Sequence, residues 1–413
     1  MIQFKPFRAL LPNPKHPESV VSRTFDSYSK TERETILQNN PNSFLHVIVP
    51  IMNEYESKTL SYQEILTLGK NTLARFIDQG NLIRDDKNSM YVYRQSINNQ
   101  SYTGFIGAAS IDDYLEGRIK KHEQTLEHKE HLLKQYLETV DIHAEPVYLI
   151  FEDKPELKAI LNKITTGQAY SDFFDDLGRR HQVWRVFDDN VTNIESLFGT
   201  LSSLYIADGH HRCASSALFG LNKRDSLHAY TGNESFNFFL AVAMPESEAR
   251  LYEFSRLVQV SEDFSKAIFL GQIADNFDIS KAESPVKPAE KHEFGLYIDN
   301  TWYKLRLKSM FIQSGSAFGT LDPYLLNEYL FSPFLGIHDL RKDKRVKFIG
   351  GQTDTDLLMN QVNSGKYEMA FTVHPVDMNL FRHIADEGLT MPPKSTWFEP
   401  KFLSGMVIFP LFD

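Results

Sequence analysis

The chain is expected to adopt a mixed α/β fold, and three observations predict it. Short apolar runs rich in β-branched or aromatic residues, such as Pro146–Phe151, alternate with longer stretches of helix-like apolar spacing. The composition is that of a folded chain, 42 % hydrophobic and 13 % aromatic. At 413 residues there is room for two or three domains of roughly 150 residues, each with ample core.

The elements follow in order. A proline-punctuated extended opening leads to a helix over Lys30–Asn39, with Ser29 as its cap, Glu32 in its first turn and a stop at Asn39-Asn40-Pro41. Phe44–Pro50 reads FLHVIVP, and this apolar run predicts a buried strand. Across 61–79, Ile65, Leu66, Leu68, Leu73, Phe76 and Ile77 recur at helical spacing before the glycine stop at Gly80. Met90–Gln95 and Thr103–Ala109 predict the two strands of a hairpin. An amphipathic helix over 122–140 is expected to start near Thr125, which reads as its cap. Further strands are expected at 146–151, 182–187 and 204–207, and helices at 156–165 and 213–221.

After Met244-Pro245 the texture changes, which places one region at 1–245 and an α+β region at 246–413. The second region contains strand-like Phe294–Ile298 and Trp302–Leu307, a loop at Ser284–Lys291, and helices at 321–335 and 376–387. It closes on apolar Met406–Leu411. The absence of internal repeats sets solenoids aside.

Lys and Arg total 44 against 54 Asp and Glu, for a net charge of −10. That balance argues against non-specific binding to nucleic acid or to an anionic membrane. The one basic cluster, Arg341, Lys342, Lys344, Arg345 and Lys347, reads as a solvated turn. A single cysteine, Cys213, excludes an internal disulfide and fits a reducing cytoplasm. The N-terminus lacks a signal-peptide apolar core, and no stretch approaches the roughly 18 apolar residues of a membrane span. A cytoplasmic protein with no membrane partner is expected.

Chemistry concentrates at Tyr205-Ile206-Ala207-Asp208-Gly209-His210-His211-Arg212, an apolar strand running into a turn and a helix start. A helix N-terminus exposes unpaired N–H groups and the positive end of its dipole, so this corner is a ready anion site. Arg212 can fork two donors to a phosphate, and His210 and His211 add further donors. Asp208 can hold a divalent cation or orient a substrate, and Gly209 allows close backbone approach. A second cluster, Lys121-His122-Glu123-Gln124-Thr125, precedes the amphipathic helix. It is not a zincin motif, because Leu126 stands where HExxH needs its second histidine. Glu123 is left as a candidate general base. His128 and His131, three apart, read as a solvated face. Arg179, Arg180 and His181 read either as a supporting charge cluster or as an exposed strand edge. Lys394, Ser395 and Thr396, behind two prolines, form a rigid polar turn able to face a ligand. P-loop, GxGxxG and GxSxG signatures are missing, which disfavours conventional kinases, dehydrogenases and α/β-hydrolases.

FKPFRALLPNP, GFIG, KHEQT followed by Lys129, RHQVWRV, YIADGHHR, LDPYLLNEYLFSPFLGI and MPPKSTWFEPKFLSGMVI, taken in this order, resemble the DUF1015 family from end to end. One departure is visible. Where family members commonly carry a PPYD-like segment, this chain has Ser22-Arg23-Thr24-Phe25-Asp26 and keeps the acid, Asp26. The HE dipeptide with a downstream DGHHR is similar to the free-serine kinases of the ParB/sulfiredoxin-like superfamily.

That resemblance implies a ParB/sulfiredoxin-like nucleotide-binding core with helical insertions. Glu123 would be the base, Gly209, His210, His211 and Arg212 would cradle nucleotide phosphates, and Asp208 would help place Mg²⁺ or the substrate. His122, Lys394, Ser395 and Thr396 are expected on the substrate side, and His211 beside the reacting groups. The implied cofactors are ATP or ADP, with CTP as a further option, together with Mg²⁺. The implied activity is phosphoryl transfer to a small hydroxylated metabolite, free L-serine first. Two competitors stand beside it: a nucleotide-binding regulatory module of the ParB type, and a metal-dependent phosphoester hydrolase using His210, His211 and Asp208. The C-terminal third has no counterpart in the kinase resemblance and is open to a specificity, lid or homodimer role.

Overall fold

The computed structural model describes residues 1–48, 60–261, 263–313 and 315–412. The chain divides into two compact units, Met1–Ala249 joined by Pro400–Asp413, and Arg250–Glu399. The sequence reading kept 246–413 together. Its last stretch belongs instead to the first unit, because Ser404 bridges Ser22, Ile408 bridges Leu10 and Phe409–Pro410 pairs with Ile142–His143.

Nine strands of the first unit form one mixed sheet. They are β1 (Phe4–Lys5), β2 (Met90–Ile97), β3 (Gln100–Ser110), β4 (Ile119–Lys120), β5 (Val147–Phe151), β6 (Ser171–Phe174), β7 (Arg180–Val186), β8 (Leu204–Asp208) and β9 (Phe238–Pro245). Their order is β4-β8-β5-β9-β3-β2-β7-β6, with β1 alongside β3. β8 runs parallel to β4 but antiparallel to β5, and β5 is parallel to β9. The β2–β3 hairpin turns at Asn98 and Asn99, both at positive φ (47° and 64°), as a two-residue type I′ turn requires. β3 is buried along nearly its whole length, and Gly107 is needed there because a Cβ would lie 2.5 Å from the Phe4 ring.

Helices α1 (Lys30–Asn39), α2 (Leu45–Ile48), α3 (Tyr62–Asp78), α4 (Ile111–Leu115), α5 (Glu127–Val140), α6 (Pro155–Ile164), α7 (Asp189–Gly199) and α8 (His210–Ser226) complete the unit. Ser29 and Ser61 each make a full capping box, with Glu32 and Glu64. The strand expected over Phe44–Pro50 is instead the short helix α2, and Val49 and Pro50 lie outside the described residues. Leu45, Val47 and Ile48 are all buried in one apolar cluster with Phe44, Leu66 and Phe76, so tertiary burial outweighs β-propensity. α5 starts two residues later than expected. Leu126, not Thr125, is its cap and supplies no side-chain bond. Nor are Arg179–His181 an exposed edge: β6 covers β7. His181 is fully buried between Tyr93 (2.7 Å) and Asp175 (3.1 Å).

The second unit holds a six-stranded sheet of β10 (Phe254–Val258), β11 (Phe277–Ala282), β12 (Glu293–Ile298), β13 (Thr301–Leu307), β14 (Val346–Gly350) and β15 (Met369–Val373). The order is β11-β13-β12-β15-β10-β14, antiparallel throughout. Arg345 of the basic cluster bonds Asp343 and the carbonyls of Leu335 and Gly336, closing the helix Ser332–Leu335. No helix among the described residues is long and apolar enough to cross a membrane.

Candidate functional site

β8 is an apolar strand buried up to Ala207, and its pairing with β5 shifts register between Ile206 and Asp208. Such a bulge re-aims the side chain that follows it. Gly209 comes next at φ 101°, a left-handed conformation that favours glycine. A Cβ there would also lie 3.0 Å from Arg212 Nε. α8 then starts at His210, with the first-turn N–H groups that no intrahelical carbonyl reaches.

His210 turns inward and is 5 % exposed. Its ring meets His122 edge-to-face at 4.5 Å, and its Nε2 accepts the His122 backbone N–H at 3.4 Å. A neutral ring accepting at Nε2 carries its proton on Nδ1, and Nδ1 lies 3.9 Å from Glu123 Oε2. The two clusters found in the sequence, 88 residues apart, therefore meet. His211 Nε2 accepts the Leu126 backbone N–H at 3.1 Å, so α8 supplies a partner for the cap residue of α5. Burial pushes all three imidazoles below the ordinary histidine value, to about 4 at His122 and well below it at His210. All three are neutral near pH 7.

Asp208 lies 3.3 Å from Lys401 and 3.6 Å from Arg212. Burial works to raise its carboxyl, but Lys401 and Arg212 outweigh burial and hold it well below the usual carboxylate range. Arg212 is anchored on the Pro146 carbonyl at 2.5 Å, with Glu145 at 3.8 Å. A cavity of about 530 Å³ opens here, lined by Glu123, Asp208 and Gly209–Arg212, and also by Asp26, His128, Lys129 and Glu145.

The expectation that Asp208 binds a metal meets an obstacle, since two cations already neutralise its carboxylate. The described side chains that gather as a potential metal-ligand set are His122, Glu123 and His210, whose ligand atoms lie within 4.8 Å of one another. Two imidazoles and one carboxylate suit a transition metal, whereas Mg²⁺ takes oxygen ligands. A dedicated protein site for Mg²⁺ does not fit these residues. Lys394, Ser395 and Thr396 belong to the second unit and do not line the cavity. The Ser395 hydroxyl bonds the Pro392 carbonyl and Lys394 lies over the Phe254 ring, both within the second unit. His131 is a solvated neighbour of Glu127, as expected. Lys129 and Lys401 were missed as site cations. Both lie in segments that carry the family resemblance, KHEQT followed by Lys129 and MPPKSTWFEPKFLSGMVI, which was the available signal.

Fold and cavity define a mixed α/β protein in which the N-terminal corner of a helix faces a carboxylate across one cavity. Residues 4–324 match the family described as protein of unknown function (DUF1015), and the chain belongs to that family. Among curated proteins none matches. Solved structures to which the chain is similar include a free serine kinase in complex with AMP, at 12 % identity and TM-score 0.35 over 72 % of this chain and 88 % of that one. SbnI with C-terminal truncation, from Staphylococcus aureus, is similar at 11 % identity and TM-score 0.38, over 74 % of this chain and 87 % of that one. A conserved hypothetical protein from Pyrococcus furiosus is similar at 12 % and 0.34, over 75 % and 95 %.

Proposed function

We propose that this chain is a nucleotide-dependent phosphotransferase acting on a small hydroxylated metabolite, with free L-serine as the first candidate acceptor, on a core of the ParB/sulfiredoxin-like type. The observation that carries the reading is the approach of Glu123 to the N-terminus of α8, 3.9 Å from His210. A proton acceptor and an oxyanion cradle then share one cavity. Phosphoryl transfer asks a protein mainly for positioning and charge neutralisation, and this corner offers both without a P-loop.

The nucleotide, ATP, ADP or CTP, enters as its Mg²⁺ complex, the ion being part of the substrate. The α8 N–H groups and Arg212 receive its phosphates, with Lys129 as a second cation at the cavity wall. Glu123 takes the proton of the acceptor hydroxyl. The freed oxygen forms a bond to the terminal phosphorus, the bond from that phosphorus to the bridging oxygen breaks, and the shortened nucleotide leaves with the electron pair. His210 Nδ1 faces the Glu123 carboxylate at 3.9 Å, and the His122 backbone N–H bonds His210 from the other side.

The test is incubation with ATP, ADP or CTP plus Mg²⁺ and an amino-acid panel, read for phosphorylated product by mass. A Glu123-dependent phosphoserine signal supports the proposal. Nucleotide binding with no transfer to any acceptor moves the chain to the regulatory-module reading. The His122–Glu123–His210 cluster favours a second reading, a metal-dependent phosphoester hydrolase. Metal analysis after chelator treatment separates the two, because a tightly held transition metal survives treatment that strips nucleotide-borne Mg²⁺.

A further inference from the structure

We infer that the inner wall of the cavity, between α5 and the segment leading into β5, is the seat of the nucleotide's base and recognises it through Tyr136 and His143. The inference rests on the reading of the cavity as a nucleotide site and adds where the base lies and what edge it presents. The α8 corner accounts for a phosphate chain only. The cavity, at about 530 Å³, falls in the size class that encloses a whole small-molecule ligand.

Away from that corner, Leu132, Leu133, Leu137 and Ile142 give the lining an apolar stretch, with the polar Thr24, Asp26 and Glu145 also on the wall. Within that lining two buried polar atoms have no hydrogen-bond partner among the described residues, Tyr136 Oη and His143 Nε2. Their residues are 2 % and 7 % exposed. The nearby serines offer no relief, since Ser215 and Ser216 both donate to the Arg212 carbonyl.

The chemistry of the two atoms is complementary. Burial pushes the His143 imidazole down to about 3, and its other nitrogen bonds the Phe238 backbone. A neutral ring donating through Nδ1 presents Nε2 as an acceptor. Tyr136 Oη–H is a donor. One donor and one acceptor between leucine walls match a flat heterocycle whose edge carries an acceptor beside an amino group, as adenine and cytosine do.

The experiment is calorimetric titration of the full chain with ADP, CDP and inorganic pyrophosphate, repeated on Tyr136→Phe. Pyrophosphate reads the phosphate corner alone and so also reports that the variant is folded. The expected result is that ADP or CDP binds at least about tenfold tighter than pyrophosphate, and that Tyr136→Phe removes about five- to tenfold of that advantage while leaving pyrophosphate unchanged. Equal affinities for the nucleoside diphosphates and pyrophosphate, or an advantage untouched by the substitution, overturn the base seat and leave the phosphate corner standing. Failure of all three ligands to bind overturns the nucleotide reading itself.

Discussion

Single residues carry the proposed chemistry through their neighbours more than through their identity. Glu123 was recognisable in the sequence because it follows His122, yet its role depends on His210, whose Nδ1 faces it at 3.9 Å. Glu123→Gln keeps the shape and removes the base. We expect a fall in turnover of about 10²- to 10⁴-fold with nucleotide affinity within about twofold of the parent, checked by product mass and calorimetry. The buried imidazoles also set an acid limit. An unfolded chain protonates its histidines near pH 6.5, whereas burial holds His122 at about 4 and His143 at about 3. Between those values the unfolded state binds more protons, so stability rises with pH there and is lost on acidification. For His122 the loss is on the order of 3 kcal/mol by pH 4. The expected observation is a Tm that falls steadily from pH 7 to pH 4, and less steeply in His143→Gln. A Tm independent of pH across that range would refute it.

At the scale of elements, the β8–Gly209–α8 corner was legible because strand, turn and helix start are all local signals in consecutive residues. Gly209→Ala tests the corner. A non-glycine residue at φ 101° costs roughly 1–2 kcal/mol, and the added methyl would press on Arg212. Urea unfolding should register the stability loss, and phosphate-ligand affinity should weaken with it; unchanged affinity would show that Arg212 is not held through this turn. The start of α5 was misjudged for the opposite reason. Thr125 has the composition of a cap, but Leu126 takes that position and its N–H is held by His211 of another helix, which no local pattern encodes. α2 fails similarly: its apolar run has strand composition, and only the cluster around Phe44 and Phe76 decides the outcome. Lys394–Thr396 have a ligand-facing composition, but they do not line the cavity, and the Phe254 ring under Lys394 comes from 140 residues away, beyond the reach of any local pattern.

For the molecule as a whole, composition, net charge and alternating elements were enough for the mixed α/β class, because each reflects a property averaged over many residues. The path of the chain was not. Pro400–Asp413 returns to the first unit through pairings with Leu10, Ser22 and His143, contacts hundreds of residues away in sequence that no window detects. The return also completes the site. Lys401 neutralises Asp208, and Ser404 donates to Glu145 beside Arg212. A chain ending at Glu399 therefore loses more than a tail. It exposes the backbone edge of Ile142–His143, uncovers Ile408's place in the apolar cluster with Leu10 and Phe44, and leaves Asp208 with one cation instead of two. We expect a fall in Tm of at least several degrees, in line with the loss of a few kcal/mol. The point variant Lys401→Ala should stay folded while binding and turnover decline, because a partly uncompensated Asp208 repels the phosphates that Arg212 must hold. If the truncated chain kept both its Tm and its nucleotide affinity, the closing segment would have no part in fold or site, and Asp208 would have to be balanced by Arg212 alone.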